Sequence, residues 1–148
     1  MESLKASERL IEAIELADEY QQSMEAYNQQ SEAEKEGTEP PQPSPLFLGL
    51  SPSDYVLKVL REIRSNDLDE ALLVLPFNLV MKLLHFMNDW VVNGKYVELS
   101  CKCIFFLIKI HHSQISTNTQ IIPLLESLKH NTRSKLQEFK VITITKLC

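Results

Sequence analysis

Glycine is scarce in this chain, with three among 148 residues, and the chain has only four tyrosines. That leaves little material for the tight turns and aromatic strands of a β-sheet protein. No glycine-rich phosphate loop is present, and no serine, cysteine or carboxylate stands at a spacing typical of a nucleophile and its orienting partner. We therefore expect an all-α protein that is not an enzyme.

Cysteine is equally scarce, and the three residues, Cys101, Cys103 and Cys148, make an odd number. The N-terminal sequence MESLKASERL lacks the apolar core of a secretory signal. Cys101 and Cys103 would lie roughly 200° apart on a helix and could not pair within it. Reduced thiols in a cytosolic or nuclear compartment are predicted.

Four potential metal ligands, Cys101, Cys103, His111 and His112, fall within twelve residues. Zinc needs its donor atoms about 2.0–2.3 Å from one point. On one straight helix, Cys101 and His112 would share a face but stand about 16 Å apart along the axis. We expect structural cysteines, with no metal and no cofactor.

Charge is distributed unevenly along the chain. Residues 1–39 hold eleven acids and three bases, a net of −8, whereas residues 40–148 hold nine acids and twelve bases, a net of +3. This pattern indicates an acidic arm before a mildly basic globule. It gives direct binding of RNA or DNA only weak support.

Two helix-length runs, Pro76–Asn93 and Tyr96–His112, have only a narrow polar strip. In the second run, Glu98, Lys102 and Lys109 fall within about 40° of one another, and nearly everything else is apolar. Such helices must be covered on several sides, by a helical core or by a partner protein. The second run is too short and too charged to span a membrane, which needs about 20 apolar residues.

The two runs should be antiparallel neighbours, because the turn Asn93-Gly94-Lys95 between them is short. We expect a bundle of about five to six helices around this central pair. The predicted division is an N-terminal amphipathic helix (1–30), a disordered linker (31–50), a helical domain (51–140) and an irregular tail (141–148).

Five apolar residues of the central pair are candidates for a partner interface. They lie on the second apolar face of each helix: Leu79, Phe86, Trp90, Phe106 and Ile110. An intramolecular core closed by the first and last helices explains each of them equally well. An alternative function is direct RNA binding through basic residues of the last helix, namely Lys129, Arg133, Lys135 and Lys140.

Two long runs carry a resemblance to a known family. They read SPSDYVLKVLREIRSNDLDEALLVLPFNLVMKLLHFMNDWV and VELSCKCIFFLIKIHHSQISTNTQIIPLLESLKHNTRSKLQEFK. Together they closely resemble the helical C-terminal domain of the tandem WD-repeat proteins in the UTP-B subcomplex of the small-subunit processome. The resemblance covers roughly Ser51–Lys140, and SERLIEAIEL is similar to the helix that leads into that domain.

The resemblance implies a nuclear, nucleolar scaffold that supports pre-rRNA processing and 40S ribosome biogenesis. Its helical tail would pair with homologous tails of sister subunits and meet pre-rRNA and snoRNP only indirectly. It implies no catalysis, cofactor, membrane or small-molecule substrate. No WD repeat is present in this sequence, and VITITKLC stands where the family continues with a further helical stretch, as in a truncated or spliced product.

Overall fold

The computed structural model describes the backbone of residues 2–147 and the side chains of residues 3–141 and 146. None of these backbone residues lies in a β-strand, which confirms the all-α prediction. In chain order the α-helices are α1 (Glu2–Gln29), α2 (Glu32–Lys35), α3 (Pro52–Glu62), α4 (Ser65–Leu73), α5 (Phe77–Val92), α6 (Val97–Ile110), α7 (His112–Thr117) and α8 (Ile122–Leu147). Two 3-10 turns cover Pro45–Phe47 and Thr119–Ile121.

The described stretch thus has eight α-helices, more than the five or six expected. The surplus consists of α2 and α7, with four and six residues, in segments that the sequence indicates as linker and polar turn. Within residues 2–147, no helix is both long enough and apolar enough to cross a bilayer.

Contacts divide the chain into two compact units, unit 1 up to Leu68 and unit 2 from Asp69 onward. In unit 1, α1 packs against α3. Ser51 caps α3 by accepting a hydrogen bond from the Asp54 N–H at 3.1 Å, and Pro52 occupies the first turn, as the sequence predicts. The buried apolar residues of the two helices are Leu10, Ala13, Ile14, Ala17, Val56, Leu57, Val59 and Leu60.

The segment 31–50 is more structured than a disordered linker. A capping box at Ser31 starts α2, and Phe47 is fully buried. The Phe47 ring lies edge-on to Tyr20 at 5.6 Å and to Tyr55 at 5.3 Å between centroids. The prediction of disorder is therefore wrong for α2 and for Phe47. The segment is rich in proline, but the burial of one aromatic side chain is enough to order it.

In unit 2, α5 contacts both α6 and α8. Eight α5 residues are buried: Leu79, Val80, Leu83, Leu84, Phe86, Met87, Trp90 and Val91. The helix ends in a Schellman motif, in which Gly94 and Lys95 donate to the carbonyls of Val91 and Trp90. Gly94 has φ +70°, a conformation that glycine adopts without steric cost, so its predicted capping role is confirmed.

Three partly buried polar residues join α5 to α8. Asn131 Nδ2 donates to Asn88 Oδ1 at 2.8 Å, and Asn88 Nδ2 donates to Ser127 Oγ at 3.0 Å. Asn131 Nδ2 also lies 3.2 Å from Ser127 Oγ. Because polar groups removed from water need specific partners, this triad favours one register of α8 on α5.

Helix α8 continues to Leu147, so residues 141–147 are helical and the predicted irregular tail is wrong there. Valine, isoleucine and threonine lower helix propensity by only about 0.7 kcal/mol or less per residue relative to alanine. Extending an existing helix is far easier than nucleating one. A β-branched run at the end of a long helix therefore stays helical.

We predict that Asn88→Ala lowers the free energy of unfolding by about 1–3 kcal/mol, because it removes the two hydrogen bonds that Asn88 makes with Ser127 and Asn131. Urea unfolding followed by circular dichroism measures the change. Asn78→Ala, on an exposed position of α5, is the matched control and should stay within about 0.5 kcal/mol of wild type. Equal losses in the two variants would contradict a role for the triad.

Candidate protein-interaction surface

The structure separates the five candidate interface residues into two groups. Leu79, Phe86 and Trp90 are buried, with 3%, 5% and 1% of their surface exposed. These three residues belong to the intramolecular core, which was the alternative to a partner interface. A partner cannot reach them in this conformation. Phe106 is half-buried and Ile110 is 36% exposed, so these two remain available at the surface.

Helix α6 has a partly exposed apolar face that is separate from its buried face. Leu99, Phe106 and Ile110 fall within about 40° of one another at 100° per residue, and we call them the α6 stripe. Each of the three is half-buried or exposed. The buried face of the same helix consists of Val97, Ser100, Cys101, Cys103, Ile104 and Leu107. The α6 stripe is therefore an apolar strip beside the core rather than part of it.

Phe105 points to a different environment from its neighbour Phe106. It is 56% exposed and shares its face with Glu98, Lys102 and Lys109, all of them exposed. An aromatic ring among solvated charges is a common surface feature. The two adjacent phenylalanines thus offer a matched pair for testing which face binds a partner.

Helix α8 is longer than its two packing partners. It has 26 residues against 16 in α5 and 14 in α6, about 39 Å against 24 Å and 21 Å. Its buried stripe runs through Leu124, Leu128 and Thr132, next to the buried Ile121 of the preceding 3-10 turn. Phe139 continues this stripe but is 50% exposed, and Leu136 beside it is 44% exposed. Both side chains are therefore only partly covered, although they follow the spacing of the buried residues.

A groove connects the start of α6 to this part of α8. Its lining residues are Gly94, Tyr96, Val97, Glu98, Leu99, Lys102 and Phe139. Leu99 therefore belongs both to the groove and to the α6 stripe. Sequence periodicity missed Leu99, Leu136 and Phe139 as surface residues. The last helix is longer than the two helices of the central pair, and this difference in length is the signal that could have identified them.

Two of the three cysteines, Cys101 and Cys103, are buried side chains of α6. Both are free thiols. Burial raises the pKa of both thiols, that of Cys103 to about 12. Among the residues that the structure describes, no group of three or more histidine, cysteine or acidic side chains is placed to hold a metal ion.

Comparison with known proteins identifies the family. Residues 52–146 match the Dip2/Utp12 family, about two thirds of the 148-residue chain. The chain belongs to the Dip2/Utp12 family. The match extends six residues past Lys140, so the VITIT sequence lies inside the family domain rather than replacing its continuation.

Individual relatives agree with this assignment. WD repeat-containing protein 3 of Mus musculus is 42% identical over 142 residues, which cover 93% of this chain. The protein of that name from Homo sapiens is 40% identical over 144 residues, or 95% of the chain. U3 small nucleolar RNA-associated protein 12 of Saccharomyces cerevisiae is 34% identical over an alignment of 151 positions, which covers 93% of the chain. The match spans only 15–16% of the length of these relatives.

Because the Cys103 thiol of this Dip2/Utp12 domain is buried, we predict that the domain loses stability at alkaline pH. The folded pKa of Cys103, about 12, lies above the unfolded value of about 8.5. Its contribution to stability is therefore complete below pH 8.5 and is lost as pH rises toward 12. Between pH 8.5 and pH 10 we expect wild type to lose about 1–2 kcal/mol more than Cys103→Val, by urea unfolding.

The Cys103→Val variant is the control because it keeps an apolar side chain of similar size and has no titrating group. Lysines and tyrosines that ionise in this range affect both proteins alike. An equal loss of unfolding free energy in wild type and variant would show that burial does not keep the Cys103 thiol protonated in the folded state.

Proposed function

We propose that this chain supplies a non-enzymatic helical scaffold domain to a nucleolar ribonucleoprotein, the small-subunit processome. In this role it supports pre-rRNA processing and 40S ribosome biogenesis in the nucleus. Its partners are the homologous helical tails of sister WD-repeat subunits of UTP-B. Family membership supports the setting, since one relative is named as a U3 small nucleolar RNA-associated protein.

The observation that carries the scaffold role is the partly uncovered apolar surface of unit 2. This surface comprises the α6 stripe and the exposed Leu136 and Phe139 of α8, and Leu99 and Phe139 line the same groove. Exposed apolar surface of this kind marks protein interaction sites. A helix from a partner that carries apolar residues at the same spacing would fit along such a strip.

We further propose that α5 and α6 form an antiparallel hairpin that holds the α6 stripe in place. Only residues 93–96 separate the two helices. The ring of Phe77, at the first residue of α5, lies 5.8 Å from that of His111, which follows the last residue of α6. A contact between the beginning of one helix and the end of the next supports an antiparallel arrangement.

Direct RNA binding is the second candidate function, and α8 carries the observation that favours it. Lys129, Arg133 and Lys140 share one exposed face within about 40° of one another. Lys135 points elsewhere and pairs with Glu138 at 3.3 Å. Three lysine or arginine side chains on one face can contact phosphates, but an exposed basic helix face is more often merely solvated.

We predict that Phe106→Glu weakens binding to a sister tail at least about tenfold, because burying an unpaired carboxylate costs several kcal/mol. Co-purification of the tagged chain with that tail, after RNase treatment, measures binding. Phe105→Glu is the matched control and should bind as wild type does. Both variants must keep the helical circular dichroism spectrum of the parent.

Two outcomes would contradict the scaffold proposal. One is normal binding by a folded Phe106→Glu variant, which would place the interface elsewhere. The other is loss of all association after RNase together with loss on Lys129→Glu and Arg133→Glu. That combination would favour the RNA-binding function.

A further inference from the structure

Residues 38–47 form a strap that follows the second half of α1 in unit 1. Pro41, Gln42 and Ser44 line a groove whose opposite wall is α1, at Leu16, Glu19, Tyr20 and Ser23. Before the strap, Lys35 places its ammonium group 5.4 Å from the centre of the Tyr27 ring. At its far end, the buried Phe47 packs on Tyr20. The strap is therefore held at both ends and in the middle.

Ser44 lies at the point where the strap becomes its anchor. Its hydroxyl accepts a hydrogen bond from the Leu46 N–H at 3.2 Å, and its carbonyl accepts one from the Phe47 N–H at 3.0 Å. These two bonds start the 3-10 turn Pro45–Phe47. The position of Phe47 thus depends directly on the backbone and side chain of Ser44.

The second half of α1 offers a purely acidic environment. From Leu16 to Gln29, the helix carries three acids and no base: Asp18, Glu19 and Glu25. Glu19 lines the same groove as Ser44. An added negative charge at Ser44 would meet repulsion from this half of the helix, which has no compensating cation.

We propose that Ser44 is a phosphorylation site for a proline-directed protein kinase, and that its phosphorylation releases the strap from α1. The residue after Ser44 is Pro45, which such kinases select at that position because it has no backbone N–H to satisfy. Residues 38–44 are neither helical nor in a strand. Ser44 itself is half-buried, so the kinase acts when the anchor opens transiently.

The reaction transfers the γ-phosphoryl group of ATP to Ser44 Oγ. A new P–O bond forms at the serine, the bond between the β- and γ-phosphates breaks, and ADP leaves. The hydroxyl proton passes to the kinase's catalytic base. The product carries about −1.5 to −2 charge at pH 7, in the groove beside Glu19.

A second Ser-Pro pair, Ser51-Pro52, provides an internal comparison. It has the same two-residue motif, but the residues that follow form the eleven-residue helix α3. That helix packs on α1, so a kinase would have to unwind it. After Ser44 only a three-residue 3-10 turn must open. Ser44 is therefore the preferred acceptor of the two.

We predict that a purified proline-directed kinase with ATP phosphorylates the full chain mainly at Ser44. Mass spectrometry of wild type, Ser44→Ala and Ser51→Ala locates the phosphate, and incorporation should fall by about tenfold only in Ser44→Ala. Phosphate found chiefly on Ser51, with Ser44 unmodified, would overturn the assignment of the site.

The release step has its own measurement, hydrogen exchange of the strap. The amides of Phe47, Leu48 and Leu50 are hydrogen-bonded within the segment, and phosphorylation should accelerate their exchange about tenfold, since like charges a few ångströms apart repel by about 1 kcal/mol or more. In Glu19→Gln the acceleration should shrink, whereas Glu25→Gln, away from the groove, should leave it unchanged. Phosphorylated Ser44 with unaltered exchange would overturn the release mechanism.

Discussion

The constraint on which unit 2 depends is the burial of α5. Eight of its sixteen residues are buried. Each large apolar side chain removed from water contributes about 1.5–3 kcal/mol. Together these gross contributions amount to about 12–24 kcal/mol, before the conformational entropy lost on folding is subtracted. A helix with so little polar surface has no stable place except between other helices, and α6 and α8 provide that cover. Asn88 is the polar exception, and its bonds to α8 favour a single register.

The exposed apolar surface is related to the same packing, because α8 and α5 differ in length. Helix α8 is ten residues longer than α5, so its inner stripe extends past the core that buries it. Leu136 and Phe139 become half exposed for that reason, although their spacing continues that of buried residues. Unit 2 thus exposes apolar surface at Leu136 and Phe139.

Unit 1 is organised differently, because aromatic residues of the acidic helix α1 contact the segment that follows it. α1 buries the apolar residues Leu10, Ala13, Ile14 and Ala17, and none of its residues after Ala17 is buried. Tyr20 and Tyr27 instead hold Phe47 and Lys35 of the following segment.

From the sequence alone, the helical class, the two helices that flank Gly94 and the family could be read. Periodicity, capping residues and motif strings are local properties that a single chain displays directly. Which apolar face is covered was not readable. Phe86 and Phe106 look alike in sequence, yet one is core and the other lies partly at the surface. Likewise, composition predicted a disordered linker where Phe47 is buried. Burial depends on what other segments of the chain cover, and only the tertiary structure decides that.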